Sequence, residues 1–445
     1  MGTSDHTAPP ADGMTGVDSV DTVNTEATTV LPTPDADRLR DALVDRLRAD
    51  GIVRTPAVET ALRTVPRHLF VPDASLEDAY ANAPVHIKYD TDGTSISCAS
   101  QPGVVALMLG QLGVRPGEHI LELGAGSGYN AGLLAHLVGD SGHVTTLDVD
   151  ADLVEGARAR LAAAGITNVE VVTRDGALGH AGGAPYDRII ATVGAHGVPH
   201  AWLRQLAPGG RLLVPQRIKG TVSRSIAYER RDGRWLSLGS EMNTFMPLRR
   251  GVADDERRVV PLSADGAVRL QAPARQQQLD ADALIGVLEQ PRTEVWTGMT
   301  VRAMESPEWM ELFVSCALPS GLVRMLFPQS AKGTLLTEDP YPSSTAAIDQ
   351  GAVTYLARRP SDRRTPEGGR LWEFGVIGHG PGSDELAARV ASAIRTWDRE
   401  YRGREATFEI LPPDAPTPEQ RPSLFTVDTP LNRIVVDWRC HLTRS

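Results

Sequence analysis

Cysteine is scarce in this chain. The three present, Cys98, Cys316 and Cys440, are odd in number and far apart, and none sits in a C-x-x-C or Cys/His ligand spacing. Neither a disulfide framework nor a structural metal site is expected. Long apolar runs are missing too: nowhere do about 18 consecutive apolar residues occur, and the amino terminus lacks the basic start and apolar core of a secretory signal. The expectation is a soluble cytoplasmic protein with no membrane partner. Positive charge is in deficit, with 45 Lys plus Arg against 56 Asp plus Glu and a net charge of −11. Such a chain gains no counterion release on a phosphate backbone, which argues against a nucleic acid partner. Much of the acidity belongs to one end, because Asp5, Asp12, Asp18, Asp21, Glu26, Asp35 and Asp37 all precede the first basic residue, Arg38. Repeats of solenoid or propeller period are absent as well.

What is present is ample core material. Hydrophobic residues make up 41% of the 445, enough for more than one domain. Residues 1–35, rich in Thr, Asp, Ala, Pro and Gly without apolar periodicity, read as a disordered leader. From there Leu39, Leu43 and Leu47 recur at helical spacing, as do Val58, Leu62 and Val65 after Pro56. Between Pro116 and Pro215 short apolar runs alternate with helical stretches: HILELG, Ala131 to Val138, HVTTLDV, Leu153 to Ala163, VEVVT, YDRIIATV, Trp202 to Leu206 and RLLVP. That alternation predicts a parallel α/β sheet covered on both faces. Beyond about Gly251 the pattern loosens into an α+β mixture. It holds a helix near Ala281 to Leu288, strands at EVWTGMTV, MELFVS and FGVIG, an amphipathic helix from Asp384 to Tyr401, and a last strand, RIVVDW. Ala357 to Gly369, dense in Arg, Asp, Pro and Gly, reads as an exposed loop.

The sharpest local signal is HILELGAGSGYN, where a strand ends at Leu123 and Gly124, Ala125, Gly126, Ser127 and Gly128 lead into a helix. Glycines there let the backbone approach a ligand and let helix pack on strand. The spacing is G-x-G-x-G, not the G-x-G-x-x-G of dinucleotide enzymes, and Glu122 stands two residues ahead of the first glycine. Both features favour S-adenosylmethionine (SAM) over NAD. Glu122 is suited to hold the loop by accepting hydrogen bonds. Asp148, with Val149 beside it, ends the next strand, where a carboxylate accepts from both ribose hydroxyls. Asp175 and Gly176 end the third, at a place suited to the adenine amine. Taken singly, Asp148 is equally a helix cap and Asp175-Gly176 an ordinary turn; three such signals at successive strand ends point to the cofactor.

Seven motifs then fall in one order: VPRHLFVP (Val65 to Pro72), AYANAPVHI (Ala79 to Ile87), SQPGVVA (Ser100 to Ala106), LELGAGSGYNAGLLA (Leu121 to Ala135), NVEVVTRDG (Asn168 to Gly176), QLAPGGRLLVP (Gln205 to Pro215) and FMPL (Phe245 to Leu248). In this the chain resembles the protein L-isoaspartate O-methyltransferase family over about residues 38–250. The resemblance implies a SAM-dependent carboxyl O-methyltransferase with a Rossmann-like doubly wound sheet, here followed by an additional C-terminal α+β domain. It divides the chain into a leader at 1–35, a catalytic domain at 36–250 and an extension at 251–445. It further implies Ser100, in a loop with Gln101 and Pro102, beside the reacting carboxylate, and Met246 on a strand that binds the substrate backbone.

The chain also departs from the family pattern. The loop reads Gly93-Thr94-Ser95-Ile96-Ser97-Cys98-Ala99-Ser100-Gln101-Pro102, two residues longer than the repair enzymes' Gly-x-Thr-Ile-Ser-x-Pro, so Ser97 and Ser100 are both candidates for the catalytic place. A Thr-Ala-Ala-Ala-Pro stretch becomes Thr192-Val193-Gly194-Ala195-His196, and the residue after Phe-x-Pro-Leu is Arg249. These changes fall on the acceptor side, with His196 a candidate substrate contact. The long extension resembles those of family members that tailor ribosomally made peptides of the lanthipeptide, graspetide and lasso types. The expected partner is therefore a peptide or protein bearing Asp or isoaspartate, a modified precursor peptide by preference, with general isoaspartyl repair as the alternative. A reading from another class is a SAM-binding protein that only presents peptide to a second enzyme. His68, His86 and His200 read as packing or loop residues, and Cys98 as a small core residue, since methyl transfer needs no covalent enzyme intermediate.

Overall fold

The computed structural model describes residues 34–91, 93–243, 245–246, 257–274, 280–341 and 345–439. Nearly all of the leader, Leu248, Arg249, Cys440 and the boundary at 250–251 lie outside them.

Helices α1 (Pro34–Ala49), α2 (Pro56–Thr64) and α3 (Leu76–Ala79) open the fold. Thr55 caps α2, its hydroxyl accepting from the Val58 N–H with Pro56 at the first helical position. A two-stranded hairpin follows, β1 (Val85–Tyr89) and β2 (Ser95–Ala99), then α4 (Pro102–Leu112). The alternating region contains β3 (His119–Leu123), α5 (Tyr129–Val138), β4 (His143–Asp148), α6 (Ala151–Ala163), β5 (Val169–Thr173), β6 (Tyr186–Ala191), α7 (His200–Gln205) and β7 (Leu206–Arg217). Strands β8 (Ser223–Arg231) and β9 (Arg234–Met242) return antiparallel. Strands β3 to β7 are parallel in the order β7-β6-β3-β4-β5. The chain winds outward from β3 in one direction, then crosses over to β6 on the other side. The crevice at that switch lies at the carboxyl ends of β3, β4 and β6.

The extension contributes β10 (Arg257–Pro261), β11 (Arg269–Pro273), α8 (Ala281–Leu284), β12 (Arg292–Arg302), α9 (Glu308–Ala317), β13 (Val323–Leu326), β14 (Thr345–Asp349), β15 (Ala352–Arg364), β16 (Arg370–His379), α10 (Ser383–Glu400), β17 (Thr407–Leu411), β18 (Leu424–Asp428) and β19 (Arg433–Asp437). Strands β10 to β16 form an antiparallel seven-stranded sheet. Strands β17, β19 and β18 do not join it. They add to β9 and bring the catalytic sheet to ten strands. A boundary near 250 therefore does not separate two independent units. One apolar cluster contains Val214, Ile226 and Tyr228 of the catalytic strands, Phe313 of α9, Ile394 of α10, Val376 of β16, and Phe408 and Trp438 of the carboxyl end. Helices α9 and α10 thus lie between the two sheets, while α1, α2 and α4 to α6 pack on the opposite face of the large one.

Three expectations are corrected. MELFVS lies inside α9, where every residue from Met310 to Cys316 is buried; a short wholly buried apolar run carries no period that distinguishes strand from helix. The helix near Ala281 is only four residues long, because Gly286 turns left-handed (φ 74°) and starts a separate 3₁₀ turn. Ala357 to Gly369 is mostly β15, whose outer half is exposed on both faces and so lacks apolar alternation; it pairs with β16 from Val353↔His379 to Arg364↔Arg370.

Candidate active site

The glycine-rich loop is shaped by contacts that only glycine satisfies. Gly124 adopts φ 108°, and a Cβ there would lie 2.6 Å from the Thr192 hydroxyl. Gly128, at φ 87°, begins α5 against α6, where a Cβ would sit 3.2 Å from that of Ala157. The Gly124 and Ala125 N–H groups both donate to the Leu147 carbonyl at 2.8 Å, tying the loop to β4. At the end of that strand the Asp148 carboxylate accepts from the Gly126 N–H at 3.0 Å and from the Asp150 N–H at 3.3 Å.

Behind the loop Glu122 is fully buried, accepting from Thr146 Oγ1 at 2.6 Å and Asn130 Nδ2 at 2.7 Å. Burial outweighs both hydrogen bonds and pushes its pKa up to about 7. The sign follows from proton binding: unfolded, the group titrates near 4.5, so the folded state holds an extra proton between there and about 7. Its contribution to stability is complete below that window, lost as pH rises through it, and constant above. Glu122→Gln is expected to remove on the order of 3 kcal/mol of pH dependence between pH 4.5 and 7. Urea denaturation without SAM at pH 5 and pH 8 measures it. Matching pH dependence in the two proteins would show that Glu122 does not titrate as described.

A cavity of about 410 Å³ opens over this loop. Of the residues expected in the site, Ser97, Ser100, Gln101, Gly124, Ala125, Gly126, Ser127, Asp148, Val149, Gly176 and Met246 all line it. The hairpin β1–β2 forms one wall and is tied down at Lys88, whose Nζ lies 2.9 Å from Asp150 and 2.7 Å from Asp152 at the start of α6. Gln101 precedes α4 without a side-chain capping bond and lines the cavity. Pro102 is the first residue of α4 and is buried.

Several candidates stand elsewhere. Asp175 is not among the lining residues; its Oδ1 accepts from the Ala177 N–H at 2.9 Å and stabilises its own turn, leaving Gly176 to face the cavity. His196 is buried and away from the lining. Its segment is strung between β7, where the Ala195 N–H donates to the Pro215 carbonyl, and the β18–β19 turn, where the Val198 N–H donates to Asn432 Oδ1 at 2.6 Å. Met246 lies beyond the end of β9, not in a strand, and its carbonyl accepts from the Gly194 N–H at 2.7 Å. His68 meets the Tyr80 hydroxyl and His86 that of Ser95. Burial raises the Cys98 thiol above its ordinary value, unlike an activated nucleophile.

Other participants were not singled out from the sequence, although Thr192 and Asn130 stand in stretches quoted above. Thr192, at the end of β6, places its hydroxyl 2.7 Å from the Gly124 carbonyl. Asn130 holds Glu122 and lines the cavity. Arg67 is wholly buried behind the Ser100 loop. Only VPRHLFVP, quoted above as a family marker, pointed toward Arg67.

The sequence model of the protein-L-isoaspartate(D-aspartate) O-methyltransferase family matches residues 38–252. The protein-L-isoaspartate O-methyltransferase 2 of Archaeoglobus fulgidus is 41% identical over 181 residues, which is 41% of this chain and 80% of that one. The Methanoregula boonei protein-L-isoaspartate O-methyltransferase is 40% identical over 218 residues, 49% of this chain and 95% of its own. The chain belongs to the protein-L-isoaspartate O-methyltransferase family. A solved protein-L-isoaspartate O-methyltransferase aligns with 83% of this chain and 96% of its own at 20% identity, with a TM-score of 0.46.

The cofactor of this isoaspartate methyltransferase family member is SAM, and the site fits it. The glycine backbone leaves room for close approach, and Asp148 stands at a strand end with its carboxylate at the cavity wall. Asp148→Ala is expected to weaken SAM binding by about 1.5 to 3 kcal/mol through lost charge-assisted hydrogen bonds. The bond to the Gly126 N–H disappears as well, so the loop loosens. Calorimetry measures the change, and unaltered affinity would remove Asp148 from the site. Among the described residues no helix is long and apolar enough to cross a membrane, and no group of three or more His, Cys, Asp and Glu is placed to hold a metal ion.

Proposed function

We propose that the protein transfers the methyl group of SAM to the carboxylate of an isoaspartyl or aspartyl residue in a peptide or protein. The observation that carries this reading is a single cavity in which the Ser97–Gln101 segment faces the glycine loop and Asp148. The bound cofactor supplies an activated methyl group. A carboxylate of pKa about 4 is already the nucleophile at neutral pH, so the chain need provide no general base. Its work is positioning: its residues would hold one carboxylate oxygen toward the methyl group that SAM would supply, and exclude water. The Ser100 hydroxyl orients that oxygen through one hydrogen bond. The apolar walls, Ile96, Val104, Met108 and Phe245 among them, strip its hydration. The resulting ester has a better leaving group than the carboxylate, so the next backbone amide nitrogen displaces methanol and closes a succinimide, which hydrolyses to aspartate or isoaspartate.

Repair-type methylation of isoaspartyl carboxylates is the first reading. Modification of an aspartate in a precursor peptide is the second, favoured by the two added residues in the serine loop and by the extension. Gly197, one residue past His196, packs against Thr429, Leu431 and Asn432. The test is release of S-adenosylhomocysteine, followed by mass spectrometry, with one short peptide as its isoaspartyl, aspartyl and asparaginyl forms. Product from the isoaspartyl form alone supports repair; product from the aspartyl form supports modification. Release from none, by folded protein that binds SAM, would favour the peptide-presenting role.

A further inference from the structure

Arg67 begins the short 3₁₀ turn Arg67–Phe70 and has no solvent exposure. A buried cation is normally held by a carboxylate, because isolated charge in a low-dielectric interior is costly. Here no carboxylate among the described residues bonds it or forms an ion pair with it. Its partners are three carbonyls instead: Nε donates to Ala79 at 2.9 Å, and one terminal nitrogen donates to Ala99 at 3.1 Å and Ser100 at 2.9 Å. The other terminal nitrogen is buried without a hydrogen-bond partner. The guanidinium lies 4.9 Å from the centre of the Tyr129 ring, which itself lines the cavity. The titratable groups facing it are Tyr129 on α5, Tyr80 after α3 and Cys98 on β2. Burial raises all three, so each is neutral at physiological pH.

We propose that Arg67 is a positioning residue for the acceptor: its guanidinium ties the backbone at Ala99 and Ser100 to that at Ala79, and its uncompensated charge favours an ionised carboxylate in the cavity. Two features of the site become intelligible. The serine loop leaves its strand at Ala99 and enters α4 at Pro102, and one terminal nitrogen of Arg67 holds both carbonyls at the bend. Positive potential behind the cavity offsets part of the cost of taking a carboxylate out of water. The kinetic part of this proposal rests on the carboxyl-methylation reading; the electrostatic part does not.

Cys98 reports the field without any turnover. Cys98 lines the same cavity, its thiol faced by Arg67 and the Ser100 hydroxyl, with His86 across the ladder. Alkylation of Cys98 by iodoacetamide, followed across pH by peptide mass spectrometry, is expected to shift its midpoint upward by about half a unit or more in Arg67→Gln, and to stay near wild type in Arg67→Lys. An unchanged midpoint in Arg67→Gln overturns the electrostatic role. With an isoaspartyl peptide, Arg67→Gln is expected to lower kcat about tenfold or more, to leave SAM affinity within about twofold, and to move the acid limb of kcat to higher pH. Unchanged kcat, or SAM affinity falling in step with kcat, overturns the positioning role. If Arg67→Gln does not fold, Arg67→Lys decides, since it keeps the charge and loses the planar guanidinium that spans the Ala79, Ala99 and Ser100 carbonyls. Reduced kcat with a wild-type acid limb then supports the proposal, and wild-type kcat overturns it. Absence of turnover in the wild type would sink the functional reading, while the alkylation midpoint still decides on Arg67.

Discussion

Replacing Ser100 with alanine is expected to lower kcat on an isoaspartyl peptide by about 10²-fold while SAM affinity changes less than about threefold. The argument is geometric. Ser100 sits at the bend between β2 and α4, its carbonyl held by Arg67, and it lines the cavity. It is therefore placed to meet an incoming carboxylate, and one oriented hydrogen bond is what the reaction asks of it. Ser97 is the control. It lies within β2, is mostly buried, and points toward the cofactor loop, where a Cβ on Gly126 would come 3.6 Å from its hydroxyl. Ser97→Ala is accordingly expected to disturb SAM binding more than turnover. Steady-state kinetics paired with calorimetry separates the two. Should Ser97→Ala produce the larger fall in kcat, the added residues of the loop follow the catalytic serine and the two roles exchange.

Ending the chain near Gly251 is expected to give protein that does not fold. The length of the family match makes a free-standing catalytic half plausible, and the extension then looks like a removable selector of peptide. The packing argues otherwise. Val214, Ile218, Val222, Ile226 and Tyr228 are buried in one cluster with Phe313, Phe408, Ile434 and Trp438 of the extension. Exposing five such side chains at about 1.5–3 kcal/mol each removes an amount comparable with the whole stability of a typical domain, about 5–15 kcal/mol. Strand β9 would also lose β17, becoming an unpaired edge beside an apolar face, a setting for aggregation. Circular dichroism and size-exclusion chromatography of the shortened chain give the answer. A monomeric, cooperatively melting product that binds SAM would show the extension to be dispensable for folding, and would restore peptide selection as its leading role.

The parts of this protein legible in its sequence are those where one local arrangement demands one residue type. Gly124 and Gly128 are readable because left-handed backbone and close approach leave only glycine, and Asp148 because a strand end twenty residues on repeats the same positional logic. The amphipathic face Leu386, Val390, Ile394 and Trp397 is equally local, and all four are buried in α10. Features set by distant partners were not legible. Asp175-Gly176 has the same spelling whether its carboxylate meets a ligand or its own Ala177 N–H. Arg67 looks like any surface arginine until three carbonyls, from Ala79, Ala99 and Ser100, converge on it. Nothing local in TFEIL reveals that it pairs with β9 and not with the extension's own sheet.

That last pairing has a consequence for how the chain is made. Arg234 on β9 is bound to Glu409 on β17 through both carboxylate oxygens, across a separation of 175 residues. While the polypeptide emerges from the ribosome, the nucleotide-binding strands have their immediate neighbours long before the ninth strand receives its own. At about 5–20 residues per second, that edge waits on the order of ten to thirty seconds, its apolar flank open to strangers. Assembly of the catalytic half is thus governed by a segment synthesised long after it, which makes this a late-closing fold and a natural client for chaperones that shield nascent β edges.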